Sequence, residues 1–373
     1  WSGGIVRMVF RWFGEGNDSV HLSEINQIPQ VEGIVWALHD LPPGEVWPLE
    51  RIKEVKRYAD QYGLHTDVVE SVNIHESIKL GTDERDYYID NYIQTIKHLA
   101  AVGVKVVCYN FMPVFDWVRT DLHGKLPDGS TALFYEKEKV EDMDPLVLVE
   151  KIAANPDYTM PGWEPERLAT LKELFAAYQD ISTEDLMDNL KYFLARVIPV
   201  CEEVDIKLAL HPDDPPWEIF HLPRIVTNQQ QIREILQLVP SEYNGLTLCS
   251  GALGVRRDND IPAMIYEFKD RIHFAHIRNV QLFENGDFIE TSHRTQDGSL
   301  PIDKIVKAYH DIGYKGYVRP DHGRHIWNEE CRPGYGLYDR ALGIMYLWGL
   351  WDAYKHLQGK EDHVVAHSFE SKE

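Results

Sequence analysis

Four stretches of this chain end in side chains that bind cations. Gly316-Tyr-Val-Arg-Pro-Asp-His-Gly323 begins as a strand, because Tyr317 and Val318 suit a pleated, buried surface, and it stops at Pro320, Asp321, His322 and Gly323. A carboxylate and an imidazole therefore stand side by side where a strand gives way to a loop. Neither enters an apolar core without a partner. Ile206-Lys-Leu-Ala-Leu-His211 closes on His211, Leu246-Thr-Leu-Cys249 on Cys249, and Ile272-His-Phe-Ala-His276 on His276. Taken singly, each has a plain reading: a strand-end His is a hydrogen-bonded residue, a buried Cys is a small hydrophobe, and an Asp after a strand is a turn residue. Taken together, they suggest four strand ends converging so that His211, Cys249, His276 and Asp321 hold one divalent metal. Imidazole, thiolate and carboxylate in one set suit Mn²⁺, Fe²⁺ or Zn²⁺. If the ion prefers five or six ligands, coordination positions stay open for catalysis.

Other residues near these ends carry chemistry of their own. His322 adjoins Asp321 but alternates away from it. It is placed either to move a proton near neutral pH or to orient the carboxylate beside it. Tyr335, between glycines in Arg332-Pro-Gly-Tyr-Gly336, either gives a proton to a leaving hydroxyl or packs. Arg278 and Asn279, just past His276, offer donors to a substrate carboxylate or to surface ion pairs. His293 and Arg294 follow a predicted hairpin and are candidates for a lid. His273, earlier on its strand, reads as structural.

Short apolar runs alternate with helical periodicity, and this rhythm must position those side chains. Strands are expected over residues 6–12, 33–38, 65–70, 104–110, 206–211, 245–249, 272–278 and 317–319, with helices between them and a last helix over 338–357. Asn285-Gly286 between aromatic flanks marks a hairpin. Eight strand–helix units favour a closed (β/α)8 barrel in one domain, residues 5–358. An open doubly wound sheet is the alternative, but no GxGxxG follows the first strand. In a barrel the reactive groups sit at the carboxyl ends of the strands, where all four candidate ligands lie. Residues 111–182 break the rhythm and read as a strand-poor insertion with a helix over 164–178. Its Trp117, Arg119 and Phe134 either reach over a substrate or pack among themselves. Residues 359–373 read as a polar tail, and Trp1 to Gly4 as a stretch outside the fold.

Composition narrows the function. The formal charge of −22 over 373 residues argues against a nucleic-acid partner. No apolar run approaches the roughly 18 residues of a membrane span, and the start has no basic region followed by an apolar one, so neither membrane nor leader is expected. The cysteines at 108, 201, 249 and 331 form no CxxC pair, which points to a reducing cytoplasm. The closing helix, with Trp348 and Trp351, packs either on the barrel or against another subunit, and a homo-oligomer, dimer or larger, is expected.

Arg7-Met-Val-Phe-Arg-Trp12, Pro43-Gly-Glu-Val-Trp-Pro48, His211-Pro-Asp-Asp-Pro-Pro216, Cys249-Ser-Gly251, His276-Ile-Arg-Asn279, Asp321-His-Gly-Arg324 and Arg332-Pro-Gly-Tyr-Gly-Leu-Tyr-Asp339 together resemble the mannonate dehydratases, over residues 7–350. The resemblance implies a barrel of the xylose-isomerase-like kind. It implies loss of water from D-mannonate to give 2-keto-3-deoxy-D-gluconate in hexuronate breakdown, with one Mn²⁺ or Fe²⁺ per chain. It implies His211, Cys249, His276 and Asp321 as ligands, and His322 and Tyr335 in proton transfer. A sugar isomerase on a related barrel, a sugar-acid-binding protein without turnover, and a phosphodiester-cleaving barrel are the rival readings.

Overall fold

A computed structural model describes residues 6–370 apart from 142, 148–149 and 151–167. Eight parallel strands close into a barrel in the order β1-β12-β9-β8-β7-β4-β3-β2. With strands numbered along the chain these are β1 (Arg7–Arg11), β2 (Gly33–Trp36), β3 (His65–Glu70), β4 (Val106–Tyr109), β7 (Lys207–Leu210), β8 (Asn244–Cys249), β9 (Ile272–Ile277) and β12 (Tyr317–Pro320). Each falls on an expected run. Strands β8 and β9 are buried along their whole length, as strands covered on both faces must be. Closure rules out the open sheet.

The longer helices are α1 (Leu49–Asp60), α2 (Arg85–Ala101), α3 (Leu168–Tyr178), α4 (Thr183–Val204), α5 (Gln229–Leu238), α6 (Ile261–Glu267), α7 (Ile302–Asp311) and α8 (Leu337–Glu370). Helix α4 shows why the sequence folds as it does. The Ser182 hydroxyl accepts from the Asp185 amide while the Asp185 carboxylate accepts from the Ser182 amide, which closes the first turn. Leu186, Leu190, Phe193, Leu194 and Val197 then form the buried stripe. Helix α8 runs on through Glu370, so the stretch expected as a tail continues it over 359–370, and the rest of that stretch lies outside the described residues. One glycine at 359 costs a helix only about 1 kcal/mol, which its helix-forming neighbours offset. Trp348 and Trp351 are buried against the barrel, and the Trp348 indole donates to the Pro29 carbonyl.

The insertion departs from expectation. Besides α3, it holds β5 (Asp121–Lys125) and β6 (Thr131–Tyr135), which join β10 (Val280–Leu282) and β11 (Phe288–Glu290) in an antiparallel sheet ordered β10-β11-β6-β5. The partner of β6 lies more than 150 residues away, so local sequence gave little sign of it. The part of the expected helix before 168 lies outside the described residues. The Asn285-Gly286 hairpin forms as expected, with Leu282 paired to Phe288.

Val9, Val35, Val68, Val106, Cys108, Ala209, Phe274 and Tyr317 plug the barrel interior. Side chains along a strand repeat every second residue. One step beyond the plug the same face carries Arg11 after Val9, Glu70 after Val68, His211 after Ala209, His276 after Phe274 and Arg319 after Tyr317. The apolar plug thus gives way to a polar layer at the carboxyl ends of the strands.

Candidate active site

Strand register gathers the candidate ligands. Cys249 on β8 pairs with His276 on β9, and His276 pairs with Arg319 on β12. Ligand atoms of His211, Cys249 and His276 lie within 4.8 Å of one another. Asp321 joins them through its Oδ2, 3.1 Å from Cys249 Sγ. All four expected residues therefore meet at one end of the barrel.

Their bonding suits a cation. His211 Nδ1 donates to the Pro212 carbonyl at 2.6 Å, which leaves Nε2 with its lone pair. His276 Nε2 lies 2.9 Å from Glu70 Oε1 and 3.1 Å from Arg319 Nε. A carboxylate oxygen can only accept, so the shorter contact, to Glu70, puts the imidazole proton on Nε2 and makes Glu70 its acceptor. His276 Nδ1 is then a buried lone pair, and it has no partner among the described residues. Burial, and secondly the Asp321 charge, hold the Cys249 thiol well above its ordinary pKa when no cation is near. A divalent ion would reverse that and take up the thiolate. An orphaned ring nitrogen, a second free one, a thiol and a carboxylate fit a first-row divalent metal.

A second group, Glu70, Cys108 and His276, is equally close. Glu70 is committed elsewhere, at 3.2 Å from Arg11 Nε and 3.0 Å from Arg319 Nη2. It braces His276 in the way a carboxylate orients a ligating imidazole.

A cavity of about 480 Å³ opens above these groups, lined by His211, Asp321, His322, Tyr335, Trp117, Arg278 and Arg319 among others. His322 Nδ1 is 2.8 Å from Glu290 Oε1, and its Nε2 is 3.1 Å from the Tyr335 hydroxyl. Donation of Nδ1–H to the carboxylate fixes the tautomer and leaves Nε2 free to accept. Arg278 Nη1 also lies 2.9 Å from Nδ1. With the proton on Nδ1 that approach is donor to donor, and Glu290 Oε1, 2.8 Å from Nδ1 and 3.4 Å from Nη1, is the acceptor both face. Burial alone would raise the Glu290 pKa, but His322, Arg278 and Arg119 outweigh it and hold the value at about 2. Burial pushes Tyr335 up to about 12, so the phenol carries its proton at neutral pH.

The insertion reaches this site. Trp117 sets its ring edge-on to His322, 5.3 Å between centroids. Arg119 is fully buried, donating to both oxygens of Asp214 at 2.9 and 3.1 Å and to Glu290 at 2.9 Å. Phe134 packs against Phe283 within the small sheet. Gly251 makes room for Arg278: a Cβ there would lie 2.0 Å from Arg278 Cγ. Arg278 spans Asp214 at 2.8 Å and Asp321 at 2.9 Å.

Three expected substrate contacts are not brought to the cavity. Asn279 donates to the Arg294 carbonyl at 2.9 Å and accepts from the Val280 and Leu300 amides, which braces the loop after β11. Arg294 faces solvent and pairs with Asp297. His293 is buried against Gly343. His273 meets the Glu242 carbonyl at 2.6 Å, away from the cavity. Sequence reasoning passed over Glu70, Asp214, Glu290 and Arg319. The period-two step past the apolar plug was a usable signal for Glu70 and Arg319. Glu290 had none, since a distant strand pairing positions it; Arg119, expected to reach over a substrate or to pack, instead braces Asp214 and Glu290.

Comparisons with known proteins find relatives along nearly the whole chain. The family model described as D-mannonate dehydratase (UxuA) matches residues 6–361. Mannonate dehydratase 1 of Halalkalibacterium halodurans is 70% identical over 96% of this chain and 99% of its own length. The crystal structure of mannonate dehydratase from Streptococcus suis serotype 2 superposes with a TM-score of 0.85 at 43% identity, covering 96% of this chain and 95% of that one. A xylose isomerase-like TIM barrel protein from Mycobacterium smegmatis shares the fold, with a TM-score of 0.50 at 14% identity over 88% and 86% of the two chains. The barrel is thus of the xylose-isomerase-like kind, and the chain belongs to the D-mannonate dehydratase family of hydro-lyases.

Proposed function

We propose that this chain removes water from D-mannonate to give 2-keto-3-deoxy-D-gluconate, with His322 as the base at C2 and Tyr335 as the acid at the C3 hydroxyl. The hydrogen-bond chain from Glu290 through His322 to Tyr335, facing the cavity, is the observation that carries this reading. The C2 hydrogen of a sugar acid is weakly acidic because its carboxylate is already anionic. Proton removal therefore needs a base whose conjugate acid is stabilised and a site that spreads negative charge. Glu290 supplies the first: the imidazolium formed at His322 keeps a carboxylate at 2.8 Å. Tyr335, protonated at neutral pH, supplies the proton for the departing hydroxyl. Trp117 covers His322 and keeps bulk water from it.

His211, Cys249, His276 and Asp321 would hold the metal; the donor set suits Mn²⁺, Fe²⁺ or Zn²⁺, and the family resemblance favours Mn²⁺ or Fe²⁺. When bound, that ion supplies Lewis-acid stabilisation of negative charge developing on the substrate. Among the described residues no helix is long and apolar enough to cross a membrane. Free cysteines and a small-molecule substrate support a cytoplasmic reaction. Tyr338, Leu342 and Met345 form an exposed apolar stripe on α8 and support a homo-oligomer.

The test is D-mannonate turnover by the manganese- or iron-loaded enzyme, read as 2-keto-3-deoxy acid formed. His322→Asn and Tyr335→Phe should each lower kcat by about 10²–10⁴-fold with metal content unchanged. Near wild-type turnover in His322→Asn would leave His322 as no more than a support for Asp321.

A further inference from the structure

The buried guanidiniums at and beneath the floor of the cavity are matched by carboxylates. Four guanidiniums, on Arg11, Arg119, Arg278 and Arg319, face four carboxylates, on Glu70, Asp214, Glu290 and Asp321, and each guanidinium has a carboxylate partner within 3.2 Å. Those groups hold one another and none is left over for an anionic substrate. Arg332 differs. It lines the same cavity at the exposed mouth, and among the described residues no carboxylate lies within ion-pair distance of it. Its guanidinium rests on the face of Phe13, 4.2 Å from the ring centroid, with Arg11 stacked on that ring at 4.4 Å. The ring fixes the position of the cation without neutralising it.

Arg332 is also tied to the reacting centre. The Tyr335 amide donates to the Arg332 carbonyl at 2.9 Å, with Pro333 and Gly334 between them and Gly334 at φ 83°. A hydrogen bond spanning four residues, with Pro second and a positive-φ Gly third, is a tight type II turn. Arg332 and Tyr335 are its two ends, so the free cation sits at a fixed offset from the phenol. In a sugar acid the carboxylate is likewise at a fixed offset, adjacent to C2.

We propose that Arg332 is the residue that selects an anionic substrate: its guanidinium receives the C1 carboxylate of the sugar acid and so sets C2 and C3 against His322 and Tyr335. This rests on the dehydration reading above. A guanidinium–carboxylate contact is a charge-assisted hydrogen bond, and at a partly exposed mouth its loss corresponds to about 10- to 100-fold in affinity.

The experiment compares wild type, Arg332→Ala and Arg332→Lys, all metal-loaded. KM and kcat are measured for D-mannonate, together with calorimetric binding of D-mannonate and of neutral D-mannitol. Arg332→Ala should raise KM and weaken D-mannonate binding about 10- to 100-fold, with kcat changed less. Arg332→Lys should recover part of that loss, and D-mannitol should bind all three proteins alike. Unchanged D-mannonate binding in Arg332→Ala would overturn the proposal. So would equal losses for D-mannonate and D-mannitol, which would mean that the side chain only shapes the mouth. If the wild-type enzyme formed no 2-keto-3-deoxy acid, the dehydration reading would fall, while the two binding measurements would still decide the role of Arg332.

Discussion

Replacing Glu290 by Gln should cripple the chemical step while leaving substrate and metal binding in place. Glu290 Oε1 takes His322 Nδ1 at 2.8 Å, Arg119 Nη2 at 2.9 Å and, more distantly, Arg278 Nη1 at 3.4 Å. The amide oxygen of Gln can keep the first two bonds, so the imidazole keeps its orientation. The negative charge is what goes. With charge centres about 4 Å apart and an effective dielectric constant of about 20, that charge stabilises an imidazolium by about 4 kcal/mol. Loss of about 4 kcal/mol from the transition state is about 10³-fold in rate. Glu290 lies behind His322 and does not line the cavity, so KM for D-mannonate should move by less than about threefold. Removing one partner from a buried ion pair costs about 3–5 kcal/mol of stability. The cost here should be smaller, about 1–3 kcal/mol, because Asp214 still pairs with both Arg119 and Arg278. Steady-state kinetics, metal analysis and urea unfolding read the three quantities separately. A kcat within about threefold of wild type would refute the assignment of Glu290 as the partner of the imidazolium, and with it the direction of the proton path.

Two further outcomes follow from the packing and the charge network. Gly251→Ala places a Cβ 2.0 Å from Arg278 Cγ, so the guanidinium must leave Asp214 and Asp321. Kinetics and denaturant unfolding should show at least a tenfold loss of kcat/KM and about 1–3 kcal/mol of destabilisation. Acid should unfold the chain steeply, because Glu290 titrates at about 2 in the folded chain against 4.5 otherwise, and burial of Asp214 is likewise outweighed by Arg119 and Arg278. Groups with lowered values stabilise the fold above about pH 4.5, and that contribution is lost as pH falls toward 2. Asp213, raised to about 6 by burial, acts in the opposite sense and at higher pH, so the comparison belongs between about pH 4 and 2.5. Urea unfolding should show a clear fall across that range in wild type and a shallower one in Glu290→Gln. Equal slopes would count against the network.

The barrel was legible because its strands are short, apolar and regularly spaced, and burial on both faces writes that pattern directly into the chain. The four candidate ligands were legible because each interrupts an apolar run at its carboxyl end. The machinery behind His322 was not. Glu290 sits at the end of a three-residue strand that pairs with β6 across the chain, and Arg119, in an acidic, aromatic insertion, meets it at an equally long range. Nothing in the local spacing of either residue encodes that pairing. Asn279, His293 and Arg294 show the reverse case. Nearness in sequence to His276 and to the hairpin suggested contact with substrate, whereas Asn279 spends its amide on the loop backbone and Arg294 turns to solvent.

Hydrogen exchange at C2 of D-mannonate in deuterated water, followed by NMR with the metal-loaded enzyme, tests the proton path most directly. If His322 takes that proton and Tyr335 only assists the hydroxyl, Tyr335→Phe should still exchange the C2 hydrogen while forming little product, and His322→Asn should do neither. Exchange that persists in His322→Asn and disappears in Tyr335→Phe would contradict the account.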